Sequence, residues 1–195
     1  HLTAIRYPDW ALGQFFEKAR KEPYFKETLF VVVGDHGFGN ERQITEMDLG
    51  RFNVPMLLIG PGVQEKFGQR SHTVGTQVDI VPTIMGRLGG QVRNQCWGRD
   101  LLNLPEGDTG FGVIKPSGSE QTTAIIRDDQ ILVLPKQNEM PPKMYRYELG
   151  THPRAQIIPD APDTAEMKLK LESFLQTATK SLLDNTAGVV DGKPD

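Results

Sequence analysis

An aspartate and a histidine stand side by side directly after a long apolar run. Residues 29–33 are all apolar, and Gly34, Asp35, His36 and Gly37 follow them. A carboxylate oxygen and a neutral imidazole nitrogen form a mixed ligand set that suits Mn²⁺, Zn²⁺ or Mg²⁺, and also Ca²⁺ where further oxygens join. The glycines on either side allow a tight turn and leave room for a substrate. The pair therefore predicts a divalent metal site, with Asp35 and His36 as two of its ligands.

Two other interpretations of the same residues have to be weighed. An isolated Asp-His dipeptide is more often a turn cap followed by a surface histidine, because short motifs match by chance. A phosphate-binding glycine loop fits less well, since Arg42 stands where a third glycine would be needed. Asp35 would also place a negative charge beside the phosphate.

Two segments near the pair have apolar residues at helical spacing. Residues 8–21, which begin at Pro8, predict an amphipathic helix ahead of the apolar run. Residues 80–88 predict a second helix, with Asp79 as its candidate N-cap and Gly89 just past its end. Because a capping role already explains Asp79, a catalytic role for it is the less favoured alternative.

The apolar runs at residues 28–33 and 54–59 predict two strands. Neither run alternates with polar residues, which is typical of strands that are covered on both faces in a parallel sheet. Pro55 lacks a backbone donor, so we expect it near the start of its strand. Together with the helices, these strands predict an α/β layered sheet over residues 1–104. The Asp-His pair follows the first strand directly, at the sheet edge where α/β proteins bind their ligands.

Residues 105–195 have a different pattern, which predicts a small antiparallel sheet and a closing helix. Three half-polar runs predict strands, at residues 121–127, 130–134 and 143–148. Asp128 and Asp129 would form the turn of a hairpin between the first two strands.

The closing helix begins with a capping-box pattern, formed by Asp163 and Glu166. Its inward face is predicted to carry five apolar residues, Leu171, Phe174, Leu175, Ala178 and Leu182. We expect the chain to fray from Thr186 to its end.

Composition excludes several classes of function. The chain has 195 residues, with 22 Lys and Arg against 25 Asp and Glu and a net charge of -3. It lacks the basic excess that nucleic-acid binding usually needs, so no nucleic-acid partner is expected. No apolar run approaches the roughly 20 residues that span a bilayer, so we expect this segment to be soluble.

Five ordered segments resemble the sulfatase and alkaline phosphatase superfamily, especially its lipoteichoic acid synthase-like phosphoglycerol transferase branch. They are RYPDWALG at 6–13, TLFVVVGDHG at 28–37, FNVPMLLIGPG at 52–62, QVDIVPTI at 77–84 and GRDLL at 98–102. The second contains the Asp-His-Gly metal motif of the family. The resemblance covers residues 5–104 in detail and the remainder in architecture only. It implies an alkaline phosphatase-like layered sheet, of which this chain is the C-terminal part.

The resemblance also implies a chemistry. One divalent ion, Mn²⁺ first and Mg²⁺, Ca²⁺ or Zn²⁺ as alternatives, would be held in part by Asp35 and His36. A Thr, Ser or modified Cys nucleophile would form a covalent intermediate that passes to water or to an acceptor alcohol. The substrates implied are phosphodiesters or sulfate esters of lipid or glycan headgroups. The parent protein would be membrane-anchored, with its catalytic domain in the periplasm or outside the cell.

The nucleophile and the remaining ligands are expected upstream of residue 1, and the chain starts at His1 and not at Met. We therefore expect a piece of a longer protein that is inactive without its N-terminal part. Cys96 lacks the Pro and Arg of the sulfatase signature and is expected to be a half-buried thiol. The sequence does not decide whether the reaction is a transfer or a hydrolysis, or whether the substrate is a phosphate ester or a sulfate ester. The rival function is a non-catalytic α/β module that binds a ligand or a protein.

His72 is the remaining candidate site residue. It precedes the predicted helix at residues 80–88 and could donate a hydrogen bond to a phosphate or sulfate group, although an exposed loop histidine is the commoner role. Three basic residues could grip an anion or simply be surface charges, Arg51, Lys66 and Arg70.

Overall fold

The protein is an α/β structure with two separate antiparallel sheets. The computed structural model describes residues 2–39, 43–90, 94–116, 121–135 and 140–186. Packing divides the chain into two compact units. Unit 1 contains His1–Gly37 and Asn53–Ser71, and unit 2 contains Phe38–Phe52 and His72–Asp195. The predicted domain boundary at residue 104 stays a prediction.

Unit 1 is built on a long helix and a two-stranded sheet. Helix α1 spans Leu2–Ala19, strand β1 spans Phe30–Val33, strand β2 spans Met56–Ile59, and helix α3 spans Val63–Phe67. A 3-10 turn at Pro23–Glu27 precedes β1. Pro8 lies inside α1 and not at its start, so the predicted N-terminal boundary is wrong. The helix accommodates a proline that lacks one backbone donor.

Aromatic contacts join the first helix of unit 1 to its sheet. The ring of Phe30 lies 5.4 Å from that of Phe16 and 5.2 Å from that of Phe25. Phe15 also contacts Phe30, with ring centroids 6.0 Å apart. These near edge-on and tilted arrangements are favourable for aromatic pairs, and they fix the start of β1 against α1.

Strands β1 and β2 run antiparallel, with Val32 opposite Leu57 and Val33 opposite Met56. The prediction of parallel pairing is therefore wrong for these strands, and so is the prediction that they are covered on both faces. All of their residues are half-buried or exposed. An apolar run shows that a strand can be buried, but it does not specify the direction of the neighbouring strand or what covers it. Pro55 lies directly before β2, as predicted.

Unit 2 contains three helices and a five-stranded sheet. Helix α2 spans Leu49–Phe52, helix α4 spans Ile80–Leu88 after a 3-10 turn at Gln77–Asp79, and helix α5 spans Thr164–Leu183. Helix α4 has the predicted bounds and stops at Gly89, whose φ of 77° lies in the left-handed region that glycine adopts without strain. No described helix in either unit has the combination of length and apolar character needed to cross a membrane.

The five strands of unit 2 follow one another in chain order, each antiparallel to the next. They are β3 at Gly112–Ile114, β4 at Thr123–Arg127, β5 at Gln130–Leu134, β6 at Lys143–Glu148 and β7 at Arg154–Ile157. The three predicted strands are confirmed as β4, β5 and β6, whereas the two short edge strands were not predicted. Arg127 pairs with Gln130, so Asp128 and Asp129 form the predicted turn. Asp128 has a φ of 53°, a conformation that aspartate tolerates better than most residues.

The core of unit 2 lies on both faces of this sheet. One face packs against residues 44–49, and its buried cluster includes Met47, Ile131 and Tyr145. The other face packs against α5, in a cluster that includes Leu132 and Leu171. Alternate residues of β4 and β5 point to opposite faces, so a sheet covered on both sides needs continuous apolar strands even though it is antiparallel.

Two details predicted for α5 are wrong. The Asp163 side chain forms no capping hydrogen bond. Asp163 and Glu166 instead both pair with Arg127, at 2.9 Å each, which joins the start of the helix to the end of β4. Leu182, predicted on the inward face, is 62% exposed. The predicted fraying after Thr186 falls outside the described residues.

Candidate functional site

The Asp-His pair lies in the loop that follows β1. The amide of Gly34 donates to the carbonyl of Pro55 at 3.2 Å, so the β1–β2 ladder reaches the residue just before Asp35. A Cβ at position 34 would lie 3.2 Å from Cβ of Val54, a tight contact that glycine avoids. The end of the sheet therefore fixes the chain immediately ahead of the predicted metal ligands.

The side chains of Asp35 and His36 point toward each other in solvent. Nε2 of His36 lies 3.8 Å from Oδ2 of Asp35, and their side chains are 72% and 92% exposed. The second carboxylate oxygen, Oδ1, accepts a hydrogen bond from the His36 amide at 2.9 Å. The predicted ligands are thus near each other and accessible, and they do not point into packed interior.

The histidine ring is held by a backbone carbonyl. Nδ1 of His36 lies 3.0 Å from the carbonyl oxygen of Gly37. A carbonyl oxygen can only accept, so this hydrogen bond requires the proton on Nδ1. In the neutral ring the lone pair is then on Nε2, the nitrogen that faces Asp35. Metal-binding histidines are commonly oriented by such a bond from their other ring nitrogen.

The distance between the Asp35 and His36 donors allows both to bind one divalent ion, but two ligands do not make a complete site. Two donors that each lie about 2.0–2.2 Å from a shared ion are at most about 4.4 Å apart, and the observed 3.8 Å satisfies this limit. A complete site takes four to six or more ligands. Among the described residues there is no group of three or more His, Cys, Asp or Glu side chains placed to hold a metal. Asp35 and His36 could therefore supply two ligands of a site that needs further donors.

The other candidate residues are all exposed. His72 is exposed and belongs to unit 2, whereas Asp35 and His36 belong to unit 1. The three basic candidates are likewise exposed: Arg51, Lys66 and Arg70. Cys96 is exposed and not half-buried, so that prediction is wrong.

Asp79 has a structural role, although not the predicted one. Its side chain does not cap α4. It is 1% exposed and accepts hydrogen bonds from the amides of Thr76 and Arg99, both at 2.7 Å. The guanidinium of Arg99 also reaches this carboxylate, at 3.4 Å, and stacks 3.8 Å from the centre of the Phe111 ring. Asp79 and its partner Arg99 thus connect residues 76–79 with the segments around Arg99 and Phe111 in unit 2. The burial of Asp79 excludes direct contact with a large substrate.

A second polar cluster of unit 2 was not predicted. The carboxylate of Glu46 accepts hydrogen bonds from Nζ of Lys143 and from the hydroxyl of Tyr145, both at 2.5 Å. Burial alone would raise the pKa of Glu46, but these two bonds and the lysine charge lower it overall. Burial and the Glu46 carboxylate raise the pKa of Tyr145. Since 97 residues or more separate Glu46 from its partners, no local sequence signal could have revealed the cluster.

Unit 2 also has a cavity of about 430 Å³ between β6, β7 and the first turn of α5. Its lining contains Lys143 and Lys168 but none of the predicted metal or substrate residues. Both lysines already have carboxylate partners, Glu46 and Glu172. The two lysines of this cavity are therefore already paired, and the lining also contains the exposed carboxylate of Asp160.

Comparison with known proteins identifies one matching family and several relatives. A family model described as Sulfatase matches residues 1–90. The lipoteichoic acid synthase-like protein YvgJ of Bacillus subtilis (strain 168) is 30% identical over 130 residues, which cover 59% of this chain and 21% of that protein. The multifunctional alkaline phosphatase superfamily protein PehA of Trinickia caryophylli is 28% identical over 98 residues, covering 48% of this chain and 19% of PehA. Arylsulfatase K of Canis lupus familiaris is 29% identical over 100 residues, covering 49% of this chain and 18% of arylsulfatase K.

The matched segments thus span about a fifth of the length of these relatives. No solved structure matches the chain. The match to the family model includes α1, β1, β2, the Asp-His pair and α4. Residues 1–90 of this chain therefore resemble the sulfatase family, within the sulfatase and alkaline phosphatase superfamily.

Proposed function

We propose that Asp35 and His36 are two of the ligands of a divalent metal ion in a sulfatase-family enzyme that transfers or hydrolyses a phosphoryl or sulfuryl group. The observation that carries the proposal is the geometry of the pair: two exposed donors 3.8 Å apart at the end of a family-matched strand. The histidine tautomer required by the Gly37 carbonyl supports it further, because that tautomer presents a lone pair beside the carboxylate.

Each residue of the pair has a defined part in this chemistry. The Asp35 carboxylate supplies negative charge and a hard oxygen donor, and His36 supplies a neutral nitrogen. The Gly37 carbonyl orients the ring, and Gly34 keeps the pair at the end of the β1–β2 ladder. When bound, a divalent ion polarises a phosphoryl or sulfuryl oxygen and lowers the pKa of an oxygen nucleophile. Mn²⁺ is our first choice, with Mg²⁺, Ca²⁺ and Zn²⁺ as alternatives.

The remaining parts of the reaction belong to the parent protein in this proposal. A Thr or Ser in its N-terminal part is the nucleophile, and lipid or glycan headgroups are the substrates. The parent is anchored in a membrane and acts in the periplasm or outside the cell. His72 contacts the phosphate or sulfate group. In this proposal the 195-residue chain alone has no turnover, because the nucleophile lies in the N-terminal part of the parent and the described residues hold no complete ligand set.

Metal titration of the parent protein tests the assignment. We expect Mn²⁺ affinity, measured by electron paramagnetic resonance of free Mn²⁺, to fall at least about tenfold in Asp35→Ala and in His36→Ala, in keeping with the loss of a direct ligand. His152→Ala is the matched control, since it removes an exposed histidine with no proposed role. Equal affinity in the wild type and in both ligand variants would overturn the metal assignment.

His72 is tested by a different measurement in the same protein. His72→Ala should raise KM for the ester substrate and leave the Mn²⁺ affinity unchanged, because His72 is proposed to bind substrate and not metal. An unchanged KM would remove His72 from the site. Turnover of a phosphodiester or an aryl sulfate by the purified 195-residue chain would contradict the proposed division of the enzyme.

A further inference from the structure

One guanidinium nitrogen of Arg99, Nη1, is buried and has no hydrogen-bond partner among the residues that the structure describes. Its neighbour Nη2 donates to the carbonyl of Phe111 at 2.6 Å, and Nε lies 3.4 Å from Oδ1 of Asp79. A buried donor of a charged group is costly to leave unpaired, and in native proteins such donors usually meet a protein acceptor or an ordered water. The Nη1 donors therefore require an acceptor.

A small cavity of unit 2 lies against this guanidinium, and its volume is about 10 Å³. A volume on the order of 10–15 Å³ is the least that holds one water molecule. Its apolar lining includes three aromatic side chains, Trp97, Phe111 and Phe174. Its polar lining consists of Thr76, Asp79 and Arg99. The cavity is thus of the right size for a single water molecule and too small for an organic ligand.

The charges around the cavity favour a neutral occupant. Asp79 is 1% exposed and forms an ion pair with Arg99, so the two charges of the lining already compensate each other. An anion would lie beside the Asp79 carboxylate, and a cation would lie beside the guanidinium. A neutral molecule that accepts a hydrogen bond from Nη1 meets neither penalty.

The lining also provides acceptors for such a molecule. The hydroxyl of Thr76 lies 3.3 Å from Oδ2 of Asp79 and donates to it. A hydroxyl oxygen has two lone pairs and a carboxylate accepts only, so both groups can accept from a water molecule. Together with Nη1 they supply the polar partners, about two to four in number, that a buried water needs.

We propose that this cavity binds one water molecule, which accepts a hydrogen bond from Nη1 of Arg99 and donates to acceptors on Thr76 and Asp79. The water completes the hydrogen bonding of the buried Asp79–Arg99 pair. It adds a link between the turn that precedes α4 and the segment around Arg99. The proposal concerns unit 2 alone and does not depend on the proposed metal site.

NMR measurement of water–protein contacts in the 195-residue chain tests the site in solution. We expect Overhauser cross-peaks from water to the Thr76 methyl group and to the Phe111 ring, with the sign of a long-lived contact. Val113 lines the cavity, and Val113→Ile adds one methylene group there. This variant should lose both cross-peaks and unfold at a lower urea concentration, because it expels the water and leaves Nη1 unpaired. Val32→Ile is the matched control, since it adds the same group to a half-buried strand of unit 1 and should keep both cross-peaks.

A high-resolution crystal structure of the unmodified chain tests the same site without any substitution. It should show one density peak within hydrogen-bond distance of Nη1. A protein acceptor bonded to Nη1, or the absence of both the peak and the cross-peaks, would overturn the proposal. Anomalous scattering from bromide at this position would show that an anion is bound there and would overturn the choice of a neutral occupant. Cross-peaks that persist in Val113→Ile would place the long-lived water outside the cavity and contradict the proposal.

Discussion

The two sheets of this protein show that apolar sequence and burial are different properties. The strands of unit 1 read FVVV and MLLI, yet all of their residues are half-buried or exposed. Strand β6 of unit 2 reads KMYRYE, and its Met144 and Tyr145 are buried. The difference arises because residues 44–49 and α5 cover the two faces of the larger sheet. The residue types of a strand show whether its side chains can be part of a core. The elements that pack on the strand determine whether those side chains are buried.

Asp79 is buried and Asp35 is exposed, so substitutions of these two aspartates test how strongly burial determines the contribution of a side chain to stability. Asp79→Ala should destabilise the chain by about 3–5 kcal/mol, because it leaves the Arg99 guanidinium without its buried partner. Asp35→Ala should change the free energy of unfolding by less than about 0.5 kcal/mol, since its side chain is exposed. Urea denaturation of the 195-residue chain measures both. Equal losses in the two variants would mean that Asp35 has a structural role that competes with its proposed role as a ligand.

Substitutions of Leu132 and Leu57 compare how tightly side chains are packed on the two sheets. Leu132 in β5 is fully buried, whereas Leu57 in β2 is 48% exposed. Leu132→Ala should cost about 2–5 kcal/mol in urea denaturation, because it leaves a cavity in a closed core. Leu57→Ala should cost less than about 1 kcal/mol in the isolated chain, since less apolar area leaves contact. A loss for Leu57→Ala as large as that for Leu132→Ala would contradict the difference in packing between the two sheets.

The pH dependence of stability tests the polar cluster that joins residues 44–49 to β6. The pKa of Glu46 is lowered in the folded state, so its stabilisation is present above its ordinary value of 4.5 and is lost as pH falls through the folded pKa. The difference in unfolding free energy between wild type and Glu46→Gln should therefore shrink below about pH 4.5.

Tyr145 should show the opposite dependence. Its pKa is raised from 10.0, so its stabilisation is present below that value and is lost as pH rises through the folded pKa. The difference between wild type and Tyr145→Phe should shrink in strong alkali. Glu148→Gln is the matched control for Glu46→Gln, because its partner Arg154 is 73% exposed and such surface pairs contribute little. If the unfolding free energy depends on pH in the same way for Glu148→Gln and Glu46→Gln, the pH dependence does not come from the bonds of Glu46 to Lys143 and Tyr145.

The sequence predicted those features that depend on neighbouring residues. Helix α4 begins and ends where its apolar period and Gly89 indicated, and the β4–β5 hairpin turns at Asp128 and Asp129. It did not predict β3 and β7, because strands of three and four residues at a sheet edge carry little periodicity. The cap predicted at Asp163 failed because Arg127, distant in sequence, takes that carboxylate.

For the candidate site, the sequence located the loop but not its surroundings. Asp35 and His36 are consecutive, so their closeness follows from chain order alone, and the strand ahead of them follows from its apolar run. The hydrogen bond from the His36 ring to Gly37 depends on the path of the loop, which residue types do not specify. His72 and the Asp-His pair lie in different compact units, a division that no motif indicated.

By itself, the sequence determined the resemblance of residues 1–90 to the sulfatase family, the presence of two adjacent metal-type donors and the secondary structure around them. These are properties of short segments, and local patterns record them. Only the tertiary structure decided which faces are covered, which carboxylates are buried with partners and in which direction the two strands of unit 1 pair. Those outcomes depend on contacts between segments up to 99 residues apart, such as Glu46 with Tyr145, and the energy of such contacts is a property of no single stretch of chain.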